Sequence, residues 1–73
     1  MNRLTWTESD LGAVGELKGL EWRYFIDVEG FVPYKNYWNE KPSVQTHLGF
    51  ESMEAAKEFC EKNLQRQLDE KVV

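Results

Sequence analysis

Residues 20–28, LEWRYFIDV, constrain this chain more tightly than any other stretch. Leu20, Trp22, Tyr24, Ile26 and Val28 fall on one parity, and Glu21, Arg23 and Asp27 on the other. Side chains alternate between the two faces of a strand, so strict alternation means a strand with one buried face. Phe25 breaks the pattern, because an aromatic side chain stands among the polar ones and points away from the core. Glu29-Gly30 reads as a tight turn, since glycine supplies the positive φ that hairpin turns require. The chain returns through 31–38, FVPYKNYW, a second aromatic-rich strand. Pro33 has no N–H for a ladder, so this strand starts late, bulges, or shows that position to an edge.

NEKPS at 39–43 is a loop, and VQTHLGF at 44–50 is a third strand with Val44, Thr46 and Leu48 on one face. The N-terminal RLTWT predicts one more short strand, with Leu4 and Trp6 inward. Between it and residue 20 lies ESDLGAVGELKG, whose three glycines in eight residues predict a mobile loop or an irregular hairpin. It is a poor phosphate loop. Such a loop ends in Gly-Lys-Ser/Thr, and here Lys18 is followed by Gly19 and Leu20.

Residues 52–70 predict a helix. Ser52 is a suitable N-cap, because its hydroxyl accepts from a free amide of the first turn, and Glu54 suits the positive end of the helix dipole. At roughly 100° per residue, Met53, Ala56, Phe59, Cys60, Leu64 and Leu68 gather on one arc, which must lie on the sheet's apolar face. The expected architecture is α+β: a three- or four-stranded antiparallel sheet packed against one C-terminal α-helix. Residues 1–73 form a single domain, with a short strand and Gly-rich loop in 1–19, antiparallel strands in 20–50 and the helix in 52–70.

With 73 residues the chain has little room for both a core and a deep substrate cleft, since a domain this size buries only about 60% of its unfolded surface. The net charge of −4 disfavours nucleic acid, whose partners usually carry a basic balance, and suits a basic protein surface. A single cysteine, Cys60, makes no internal disulfide, and on the apolar arc it reads as a small buried hydrophobe. MNRLTWTESD has no apolar signal-peptide core, and no run approaches a membrane span, so the cytosol is the simplest compartment to expect. One histidine, His47, and one cysteine fall short of the roughly four ligands of a zinc site. They also leave few candidates for a nucleophile–base pair. No enzyme chemistry, cofactor or metal is expected.

The run 47–60, HLGFESMEAAKEFC, joins the last strand to the helix. A strand ending Leu-Gly-Phe, a capping Ser52 and then an acidic, Ala-Ala helix start resembles the closing motif of two DNA-binding families. These are the plant ethylene-response-factor domain and the arm-type DNA-binding domain of phage integrases. The run is also similar to that of many small uncharacterised phage and prophage accessory proteins of this length. The resemblance covers roughly residues 22–62 and rests on turn, cap and packing positions. It implies a sheet against one helix. In the DNA-binding families it also implies a duplex held by basic and aromatic side chains on the open sheet face. The matching positions here are Arg23, Phe25, Asp27, Lys35, Tyr37, Gln45 and His47. Two bases and one acid, flanked by Glu21 and Glu29, make a weak phosphate grip.

Two surfaces are candidates for partner binding. One is the open sheet face, where Arg23, Phe25, Lys35 and Tyr37 would combine the residue types enriched at interface hot spots. Its alternatives are a small cluster roofed by the glycine-rich segment, or a homodimer contact. The other is the flank of the helix, where Glu54, Glu58 and Glu61 fall within roughly 60° on a helical wheel, with Glu51 and Asp69 nearby. That stripe is either a solvated face, diluted by the i,i+4 pairs Glu58–Lys62 and Lys57–Glu61, or a docking edge for a basic surface. The expected function is a non-enzymatic phage-type protein that binds, and in a sharper version inhibits, a bacterial host protein in the host cytosol. The target would be a defence or nucleic-acid-processing factor. The alternative is a DNA-binding module using its open sheet face like an integrase arm. The 47–60 joint is expected to be a hinge and cap without chemistry.

Overall fold

A computed structural model describes residues 3–71. Five strands precede one helix: β1 (Thr5–Ser9), β2 (Gly12–Glu16), β3 (Trp22–Asp27), β4 (Pro33–Tyr37), β5 (Val44–Gln45) and α1 (Met53–Lys71). Every neighbouring pair is antiparallel and the spatial order is β1-β2-β3-β4-β5, an uninterrupted meander. The class is the expected α+β, with one strand more than the upper expectation. The extra strand is β2, in the segment read as a mobile loop or irregular hairpin. Glycines hid it from the residue pattern. Gly15 stands directly opposite Trp6, and a Cβ there would lie 2.8 Å from two ring atoms of that indole. The glycine is the space into which Trp6 folds back onto the sheet.

The helix covers one face only. Its Ala56, Cys60 and Leu64 are fully buried with Tyr24, Ile26 and Ala13, while Trp22 and Leu4 complete the core. Met53, Phe59 and Leu68 pack at the margin, so the predicted arc is the observed one. Ser52 caps the helix by accepting the Ala55 amide at 3.1 Å. Phe50 lies beside Phe59, ring centroids 5.3 Å apart, and fixes the entry of the chain into α1. The Tyr24 hydroxyl donates to Asn63 Oδ1 at 2.7 Å and ties the centre of β3 to the helix.

The third expected strand is reduced to two residues. Leu48 is 88% exposed and Val44 is also exposed, so Val44, Thr46 and Leu48 do not form a buried face. Pro33 explains the truncation. The Thr46 amide donates to the Pro33 carbonyl at 2.9 Å, but Pro33 has no N–H to return, and the ladder ends there. Of the three possibilities for Pro33, the late start is the one observed: β4 begins at this residue, and the missing donor faces the side paired with β5 instead of an open edge.

Burial pushes the Tyr24 phenol up to about 12 and the Cys60 thiol up to about 12, from ordinary values of 10.0 and 9.0. Both groups hold their protons more tightly when folded. Their contribution is therefore complete below the unfolded values and is lost as pH rises through the folded ones. The chain should lose thermal stability progressively from about pH 9 to pH 12, and Cys60→Ala should blunt the onset of that loss. Melting temperatures recorded against pH test this. A flat profile across that window would contradict the buried placement of both groups.

Candidate functional site

The register assigns every strand residue to a face. Asp27 N–H donates to Val32 O and Trp38 N–H to Glu21 O, bracketing the β3–β4 ladder in which Phe25 opposes Tyr34, Arg23 opposes Asn36, and Trp22 opposes Tyr37. On the face away from α1, one cross-strand row runs Thr7, Val14, Phe25, Tyr34, Gln45. Its middle is apolar and only half-buried. Beside it Arg23 lies over the Trp38 ring, its guanidinium carbon 5.0 Å from the centroid. Trp38 is 57% exposed, and its indole donates to the Leu20 carbonyl at 3.1 Å, which holds the ring in place. A shallow hollow of about 500 Å³ lies between Trp38, Thr5, Thr7 and Glu16. No described element covers this face.

Of the expected open-face residues, Arg23, Phe25, Asp27 and Gln45 are on it. Lys35 and Tyr37 are not, and this corrects the sequence reading. Lys35 opposes Tyr24 and Tyr37 opposes Trp22, which puts both on the helix side. The Tyr37 ring packs on Trp22 with centroids 5.9 Å apart. Lys35 is buried, its ammonium 4.7 Å from the centroid of Trp22, and burial lowers its pKa. The indole face stabilises a cation that would otherwise be costly to desolvate. His47 also leaves the expected set. It stacks on Phe50 at 4.4 Å and touches Phe59 of α1. The residues the sequence reading missed are Val14, Tyr34 and Trp38.

The acidic helix flank is real but unevenly available. Glu54, Glu58 and Glu61 line one groove of about 720 Å³ together with Trp6, Lys57 and Lys62. Glu61 is engaged internally: its carboxylate accepts from the amides of Arg3 at 2.8 Å and Leu4 at 3.3 Å, and from the Trp6 indole at 3.1 Å. It clamps the N-terminal segment to the helix. Glu58 pairs with Lys62 at 2.9 Å, and that hydrogen-bonded ammonium holds its carboxyl below the usual value. Lys57 binds Glu8 at 3.2 Å instead of Glu61, the partner its spacing suggested. Glu54 remains as an exposed carboxylate in the first helical turn.

Among the described residues, no three His, Cys, Asp or Glu side chains cluster as a metal site would require, and no helix is long and apolar enough to cross a membrane. Comparisons with protein-family models, with curated proteins and with solved structures find no match to this chain.

Proposed function

We propose that this chain is a small non-enzymatic interaction protein of the phage or prophage accessory type, which docks a bacterial host protein on its open sheet face. One observation carries the reading: the uncovered face presents an apolar row, Val14–Phe25–Tyr34, beside a guanidinium stacked on an exposed indole. Aromatic and arginine side chains supply the rigid contact area and planar hydrogen bonding that dominate interface energetics. The net charge of −4 suits a partner with a basic surface, such as a nucleic-acid-processing or defence factor that the bound protein would inhibit. The phage assignment rests on the resemblance of the 47–60 run.

The DNA-binding alternative is weaker with Lys35 on the helix side. Arg23 is then the remaining base of the pair it invoked, and Glu16 and Asp27 share the face. Capture of partners from nuclease-treated bacterial lysate, followed by washes of rising salt, tests the choice. A stoichiometric protein that survives the washes supports the proposal. Recovery of DNA from untreated lysate, lost steeply with salt, would replace it with the integrase-arm reading.

A further inference from the structure

The ladder also fixes where the outer edge of β1 points. The Val28 amide donates to the Leu11 carbonyl at 3.1 Å, so the odd positions of β2 bond towards β3 and the even ones, Gly12, Val14 and Glu16, towards β1. Their opposites Ser9, Thr7 and Thr5 therefore bond inward. The backbone groups of Leu4, Trp6 and Glu8 face outward. The Leu4 amide is taken by Glu61. Trp6 and Glu8 remain, each with one N–H and one C=O on the edge of the sheet.

We propose that this edge pairs with the same edge of a second copy of the chain, antiparallel and centred on Thr7. In that register Trp6 of each copy opposes Glu8 of the other, and the two pairs exchange four hydrogen bonds, using the N–H and the C=O of Trp6 and of Glu8 on both sides. Thr7 faces Thr7 of the second copy as a non-hydrogen-bonded pair, the closer of the two pair types, and threonine suits such a position. Charge agrees with this register. Lys57 already bridges to Glu8 and lies 5.7 Å from the Trp6 ring centroid. Glu8 of the second copy, arriving opposite Trp6, meets the same ammonium. A register with Glu8 facing Glu8 would set like charges opposite each other, which is destabilising. Thr5–Ser9 also contains no proline, lysine or bulge, three of the devices that usually prevent such pairing. Two copies would form a continuous ten-stranded sheet, with both open faces on the same side.

Thr7→Cys tests the pairing and the register together. Cα atoms of a non-hydrogen-bonded pair lie about 4.5 Å apart, within disulfide reach. Thr5→Cys is the control. In the same register Thr5 opposes Ser9 of the other copy, so two Thr5 positions lie four residues apart, roughly 13 Å and beyond bridging distance. Cys60 is fully buried and does not compete. Under mild oxidation Thr7→Cys should form a covalent dimer and Thr5→Cys should not, while the unmodified chain should approach twice its monomer mass by light scattering as concentration rises. A monomer mass at every concentration, or a dimer without selective Thr7→Cys cross-linking, overturns the proposal.

Discussion

Replacing Tyr24 with alanine should leave most of the chain unfolded at room temperature. Tyr24 is fully buried at the centre of the middle strand, meets Trp22 edge-on at 6.2 Å, and donates to Asn63 on the helix. Removing a buried aromatic ring costs about 3–5 kcal/mol. Leaving the Asn63 carbonyl without its donor adds about 1–3 kcal/mol to the extent that water does not reach it. A core in a domain of this size rarely supplies more than about 3–5 kcal/mol in total. The loss therefore matches the whole stability. Tyr24→Phe separates the two terms: it keeps the ring, forfeits about 1 kcal/mol of hydrogen bonding, and should melt cooperatively about 4–8 °C lower. Far-ultraviolet circular dichroism against temperature reads both. A Tyr24→Ala protein that melts like the unmodified chain would mean that β3 is not the centre of the core.

The centre of this fold was legible because residues 20–26 and 53–68 each carry one dominant period, whereas Val28, expected on the same buried parity, lies beyond the end of β3 and is 47% exposed. The alternation from Leu20 to Ile26 and the arc through Ala56, Cys60 and Leu64 are the two surfaces that meet in the structure. The faces of β4 were legible too, but in the turn and not in the residues. Centring a turn on Glu29-Gly30 sets Ile26 against Pro33, Tyr24 against Lys35 and Trp22 against Tyr37, and that is the observed register. The pairing alone puts Lys35 and Tyr37 beneath the helix. Residue chemistry argued the other way, because a lysine ordinarily belongs in water. Here the Trp22 ring holds the ammonium, a compensation that a one-strand reading does not contain. The same oversight hid Tyr34 and Trp38, which take the opposite parity. β2 failed for a different reason: in Gly12 and Gly15, side chains are absent so that other groups can approach, and absence leaves no hydrophobic pattern to read. The roles of Glu61 and Lys57 depend on where β1 lies, which local spacing does not encode.

Phe25→Glu should remove partner binding while leaving the fold intact, and the corrected register sharpens that expectation. Phe25 sits between Val14 and Tyr34 on the face that α1 does not touch, so a carboxylate there remains in water in the free protein. On docking it would be buried in an apolar row without a partner. Hot-spot truncations cost about 2 kcal/mol or more, roughly a thirtyfold loss of affinity, and an unpaired charge adds to that. Trp38→Ala should weaken binding in the same direction, since it frees the Arg23 guanidinium from its stacked position. Tyr37→Ala supplies the contrast. Its ring packs on Trp22 in the core, so it should lower the melting temperature and affect binding only through the fraction folded. Titration of each variant against the captured partner, alongside its thermal melt, separates these cases. If Phe25→Glu binds at full strength while Glu54→Lys or Glu58→Lys does not, the groove beside Trp6 and the helix flank is the interface, and the open sheet face leaves the argument.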